Sequence, residues 1–139
     1  MKFEENELFI QELFSQATTP QLKYEKIIAI GRKSTPFPED EKIEKNLVHG
    51  CQSTMFLYTI FKDGKVYFQT YSDALISQGL GTILCYLYSN LPPREVLTSS
   101  PIVLKKIGIL TSISPTRAGG VKSLYQKMIT QCTHFLTNN

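Results

Sequence analysis

Thr54-Met55-Phe56-Leu57-Tyr58-Thr59-Ile60-Phe61-Lys62, Asp63-Gly64, Lys65-Val66-Tyr67-Phe68-Gln69-Thr70-Tyr71 is two runs of β-branched and aromatic residues around an Asp-Gly pair. Asp-Gly between such runs is the strongest short-range hairpin signal, because both turn residues must tolerate positive φ. The pattern predicts strands over 54–62 and 65–71. On the first, Met55, Leu57 and Phe61 alternate with Phe56, Tyr58 and Ile60, so both faces are apolar. Such a strand is expected to be covered on both faces or to lie centrally in its sheet. Leu47-Val48 could add a short third strand.

Downstream of the hairpin, Ser72 reads as a helix cap with Asp73 in the first turn, where negative charge is favoured. Ile76, Leu80, Ile83, Leu84 and Leu87 then form a helical stripe, with Cys85 beside it as a core residue. Gly79 and Gly81 interrupt the stripe at about 1 kcal/mol each relative to alanine. Two of them so close predict near contact with another backbone, either the Cys51 loop or a second helix. Pro92-Pro93 ends this helix, and short helices are expected near residues 94–97 and 101–107. Ile109-Leu110 is expected to be buried. Ser114-Pro115 repeats the cap-then-proline signature. It opens the clearest amphipathic helix, with Val121, Leu124, Tyr125, Met128, Ile129, Cys132, Phe135 and Leu136 at helical intervals. His134 lies off that stripe and reads as surface.

Upstream, Phe9, Ile10, Leu13, Phe14 and Ala17 predict a helix over 5–17. Thr19-Pro20 starts a second, with Tyr24, Ile27 and Ile28 on one face and a stop near Gly31. Pro36, Pro38 and a dense set of charges make residues 34–46 a loop. Two helices, a hairpin and then further helices indicate an α+β fold. The expectation is a small antiparallel sheet of about three strands packed against several helices.

The chain has 139 residues, 42% hydrophobic and 19% charged, which fits a single globular domain spanning 1–139. No run approaches the roughly 20 apolar residues of a membrane helix, so no membrane association is expected. The opening Met1-Lys2-Phe3-Glu4-Glu5-Asn6-Glu7 does not resemble a secretory signal, so a cytoplasmic location is expected. A net charge of +3, with scattered basic residues, gives no nucleic-acid surface. Three cysteines without a Cys-x-x-Cys pair argue against a disulfide framework. Cys51, Cys85, Cys132, His49 and His134 lack the spacing of a structural metal site.

The chemistry concentrates in Val48-His49-Gly50-Cys51-Gln52-Ser53. Here one thiol sits after a glycine, at a loop tip, just before the hairpin. Glycine frees the backbone there, and amides in such a turn can face an anion. Cys51 is therefore the nucleophile candidate. A thiol reacts as thiolate, which a nearby cation or helix N-terminus favours. Three sources are available: His49, the N-terminus of the helix after Asp73, and Arg117. Arginine in the first turn of a helix opposes its dipole, which invites a functional explanation. A cysteine protease is disfavoured, because His49 is too local and His134 too near a helix end to serve as a positioned base. No phosphate-binding glycine motif is present.

Four blocks in order resemble the SufE/CsdE family of sulfur-acceptor proteins, over residues 24–129. They are Tyr24-Glu25-Lys26-Ile27-Ile28-Ala29-Ile30-Gly31, Gly50-Cys51-Gln52-Ser53, Tyr71-Ser72-Asp73-Ala74-Leu75-Ile76-Ser77-Gln78-Gly79-Leu80, and Ile113-Ser114-Pro115-Thr116-Arg117-Ala118-Gly119-Gly120-Val121. Phe56 stands where the family often carries tryptophan.

The resemblance implies a SufE/IscU-like fold and a persulfide acceptor that takes sulfur onto Cys51 from a pyridoxal-phosphate cysteine desulfurase. The chain would stimulate that enzyme and deliver sulfur to an iron–sulfur scaffold. It would be a sulfur-transfer protein rather than a stand-alone turnover enzyme, with no cofactor or metal of its own. Cys51 would rest in an apolar cavity and swing outward on docking, with Gly50 as hinge. Arg117 would stabilise the sulfur anion, Asp73 would hold the loop, and His49, Gln52, Ser53 and Gly79 would support it. Monomer and homodimer are both compatible with the sequence. Two alternatives are an IscU-like iron–sulfur scaffold and a desulfurase-binding regulator that accepts no sulfur.

Overall fold

Antiparallel pairing runs the full length of both hairpin strands, β1 (Met55–Lys62) and β2 (Lys65–Ser72), from Met55 opposite Ser72 to Lys62 opposite Lys65. The molecule is described by a computed structural model covering residues 2–137. Asp63 and Gly64 close the turn with φ of 53° and 77°, the left-handed pair that the sequence predicts. Leu47 contributes a single bridge to Phe56, and Leu91 one to Val66. The expected third strand is thus only a bridge, and the sheet has two strands.

The two faces of the hairpin differ. Met55, Leu57, Val66 and Phe68 are buried against the helices. Phe56, Tyr58 and Tyr71 point the other way, where Phe37 covers them with ring centroids 6.5, 6.4 and 6.3 Å away. Lys42 places its ammonium 3.7 Å from the Tyr71 ring centre, a cation–π contact. The second face is therefore covered by the 34–46 segment, and Ile60 stays partly exposed. That segment carries two short 3₁₀ turns, Glu39–Glu41 and Glu44–Asn46.

The helices are α1 (Lys2–Leu13), α2 (Pro20–Arg32), α3 (Leu75–Tyr88), α4 (Pro93–Thr98), α5 (Ile102–Lys106) and α6 (Pro115–Thr137). α1 begins earlier than expected. It buries Phe3, Asn6 and Ile10, with Phe14 buried just beyond its end, and leaves Phe9 exposed and stacked on Tyr86. α2 starts as the sequence predicts: Thr19 accepts a hydrogen bond from the Leu22 amide at 3.1 Å. It ends at Arg32, next to the expected stop near Gly31, which is buried in its last turn.

α3 is the centre of the molecule, with Ile76, Leu80, Ile83, Leu84 and Leu87 all buried. It packs on β2, α2, α1 and α6. The glycines in it meet neighbours other than the cysteine loop. Gly79 lies against the Ile27 backbone and Gly31 of α2, and Gly81 lies against Thr70. Full burial of each such aliphatic side chain contributes about 1.5–3 kcal/mol. On α6, Val121, Leu124, Met128 and Cys132 face this core as expected, whereas Leu136 is exposed. Ile109 is buried and Leu110 is not. No helix among the described residues is long and apolar enough to cross a membrane.

Candidate functional site

The bridge of Leu47 to Phe56 and the start of β1 fix the two ends of a short excursion, and Cys51 is at its tip. The Val48 amide donates to the Met55 carbonyl at 2.9 Å. At the other end the Asp73 carboxylate accepts from the Thr54 amide at 3.1 Å, while the Asp73 amide donates to the Thr54 carbonyl at 3.3 Å. Asp73 is thus a clamp on the base of the loop. It is not in the first turn of α3, whose cap is Ala74. Ser72 is the last residue of β2, and its hydroxyl accepts from the Ala74 amide.

Gly50 turns the chain at φ 90°. An L side chain would be strained there, and a Cβ would also come 2.5 Å from the Ser123 hydroxyl of α6. This turn directs the Cys51 side chain inward against α6. Its thiol donates to the Gly120 carbonyl at 3.6 Å. A Cβ on Gly120 would lie only 3.3 Å from that sulfur, so the glycine makes room for it. Around the sulfur is a cavity of about 10 Å³, lined by Ser53, Ser77, Leu80, Arg117 and Val121 among others. That is the room of about one water-sized sphere.

Burial pushes the Cys51 thiol above its ordinary value. With the loop closed, the sulfur is a protonated thiol hydrogen-bonded to a carbonyl, not a thiolate. The three cationic sources do not reverse this. His49 is exposed and makes no hydrogen bond to Cys51 among the described residues. Arg117 lines the cavity, but its guanidinium donates to Ser77 at 2.9 Å. The start of α3 reaches the cavity through the Ser77 side chain. Among the described residues the ion pair is Lys42–Glu39, so Arg117 has no carboxylate partner.

Cys51, Ser53 and Arg117 therefore converge, with Asp73 at the base of the loop. Gln52 is exposed at the tip. Gly79 belongs to the α2–α3 contact instead. Sequence reasoning missed Ser77 and Gly120. A glycine inside the α6 pattern, facing a loop cysteine, was the only signal for the second. Cys85 and Cys132 are buried elsewhere, and burial pushes each up to about 12. No group of three His, Cys, Asp or Glu side chains converges among the described residues. An iron–sulfur scaffold site therefore has no donor set here.

The SufE family model, described as an Fe-S metabolism associated domain, matches residues 9–132. An uncharacterised SufE-like protein of Synechocystis is 33% identical over 126 residues, covering 91% of this chain and 79% of that protein. The cysteine desulfuration protein SufE of Wigglesworthia glossinidia brevipalpis is 33% identical over 113 residues, covering 80% and 78%. The solution structure of a hypothetical protein from Thermus thermophilus matches with a TM-score of 0.77 at 22% identity, covering 95% of this chain and 96% of that one. That likeness bears on the fold, and the first three matches bear on the lineage. A helix-packed hairpin with one sheltered loop cysteine, matched over most of its length by this family model, makes the chain a member of the SufE family.

Proposed function

We propose that this protein is a sulfur acceptor in iron–sulfur metabolism, that Cys51 carries the sulfur, and that a pyridoxal-phosphate cysteine desulfurase supplies it. The observation behind the assignment to Cys51 is its position. It is the half-buried thiol, on a loop that turns at Gly50, in a cavity that Arg117 also lines, while Cys85 and Cys132 are buried in the core. The step is a thiolate exchange. The Cys51 thiolate attacks the outer sulfur of the desulfurase persulfide. A new S–S bond forms on Cys51 as the old one breaks, and the desulfurase cysteine leaves as thiolate. Closed, the site suppresses this reaction, because the sulfur is protonated and sheltered. Docking must draw the loop out by rotation at Gly50, away from Gly120. An iron–sulfur scaffold is the proposed recipient.

Peptide mass spectrometry tests the assignment after incubation with an active desulfurase, its cofactor and cysteine. The expected result is one added sulfur confined to Cys51, absent in Cys51→Ser. An active desulfurase that leaves Cys51 unmodified would sink the acceptor reading. Stimulation retained by Cys51→Ser would then identify a regulator.

A further inference from the structure

Three serine hydroxyls connect the cysteine loop to α3 and α6. Ser72 and Ser53 are 3.3 Å apart, and Ser53 and Ser77 are 3.0 Å apart. One end of this relay receives the Ala74 amide at Ser72, at a loose 3.3 Å. The other end receives the Arg117 guanidinium at Ser77, at 2.9 Å. Both ends are groups that can only donate. Three hydroxyls carry three protons, and the two bonds between them use two. Ser72 donates to Ser53 and Ser53 donates to Ser77, so the Ser77 hydroxyl proton is the one left without an acceptor inside the relay.

No carbonyl or carboxylate among the described residues accepts from these hydroxyls. Ser72 and Ser77 are each more than nine-tenths buried, so water does not readily take up the spare proton. Two of the three hydroxyls, Ser53 and Ser77, line the cavity that holds the Cys51 sulfur. Arg117 polarises Ser77 directly. A buried donor without an acceptor is costly unless an anion arrives to use it. A cavity sized for about one atom beyond the thiol fits that anion to a single added sulfur.

We propose that Ser77, backed by Arg117, forms the seat for the terminal sulfur of a Cys51 persulfide anion. The seat donates the relay's spare hydroxyl hydrogen bond to that sulfur. This rests on the acceptor reading above and adds the residue that holds the loaded form. The persulfide returns to the cavity as an anion, because a hydropersulfide is more acidic than its thiol and here meets a ready donor. The thiol has no such need and bonds Gly120 instead.

The test loads Cys51 with inorganic polysulfide, so that no desulfurase is required. The Cys51 thiolate attacks a polysulfide sulfur, one polysulfide S–S bond breaks as the Cys51 S–S bond forms, and the shortened polysulfide leaves with the electron pair. After removal of excess reagent, the persulfide is alkylated with iodoacetamide across the acid-to-neutral range, and the adduct is quantified by peptide mass spectrometry. The midpoint of the rate profile should rise by about one pH unit in Ser77→Ala and return in Ser77→Thr, as for loss and recovery of a bond to the charged form. An unchanged midpoint in Ser77→Ala overturns the proposal. So does an equal acceleration of alkylation of the unloaded thiol and the persulfide, which would make Ser77 a loop tie only. Failure of the acceptor reading is a separate result, namely no transfer from a desulfurase to a wild-type chain that polysulfide does load.

Discussion

Burial and a carbonyl acceptor hold the Cys51 sulfur as a thiol, and no side-chain base hydrogen-bonds to it among the described residues. Alkylation of the unloaded protein reads this directly. Iodoacetamide should modify Cys51 more slowly than a free thiol, with a rate that rises with pH through a midpoint above the ordinary 9.0. Cys85 and Cys132 can react only through larger openings of the core, so they should lag Cys51 by about 100-fold or more. In denaturant all three should become equal. Equal native rates would mean that the core thiols are as open as the loop. At this scale much of the site was legible. Gly50-Cys51 marked a thiol on a turn, and Arg117 was notable because arginine at a helix start works against the dipole. Ser77 was not legible, because a serine in the first turn of a helix has ordinary capping and surface roles. Only the fold brings its hydroxyl to Arg117, 40 positions away.

The elements that carry the site are set by close backbone contact at the α2–α3 crossing. Gly31 and Gly79 face each other there, and a Cβ on Gly31 would lie 2.7 Å from the Gly79 amide nitrogen. Gly79→Ala would force the helices apart against the Ile27 carbonyl, at about 1–3 kcal/mol of stability. The urea midpoint should fall accordingly with an unchanged slope. A variant as stable as the parent would show that this crossing yields freely. Sequence reasoning read the glycines as a contact but could not name the neighbour, since periodicity identifies a face and not what covers it. Ser72-Asp73 misled for a related reason. Both residue types favour caps, but the Asp73 carboxylate is taken by Thr54 and Ser72 finishes β2. Tertiary pairing won over local capping, and α3 starts at Leu75. The hairpin was read almost to the residue, because its turn chemistry is local and needs nothing from the rest of the chain.

Taken as a whole, the molecule places one thiol on a loop at its edge and two in a core that α3 and α6 build together. Helical spacing alone located Cys85 and Cys132 in that core. What spacing could not reveal is their linkage to stability. Both are pushed up to about 12 by burial, Cys85 despite its 3.6 Å hydrogen bond to Thr70. In the unfolded chain they ionise near the ordinary 9.0. Between these values the folded state keeps protons that the unfolded state loses, so stability falls as pH rises. It is fully present below pH 9.0 and is lost progressively toward about 12. The loss is at most about 1.4 kcal/mol per thiol for each pH unit. Urea midpoints measured across this window should therefore bend downward above the lower value. Cys132→Val, which replaces a fully buried thiol with a non-ionising side chain of similar shape, should make the decline shallower by the contribution of that one thiol. Lysine and tyrosine ionisation contributes equally to both proteins and cancels in the comparison. An identical decline in parent and variant would mean that the Cys132 thiol ionises as readily folded as unfolded. The core on which the Cys51 loop closes would then have to admit water to its centre.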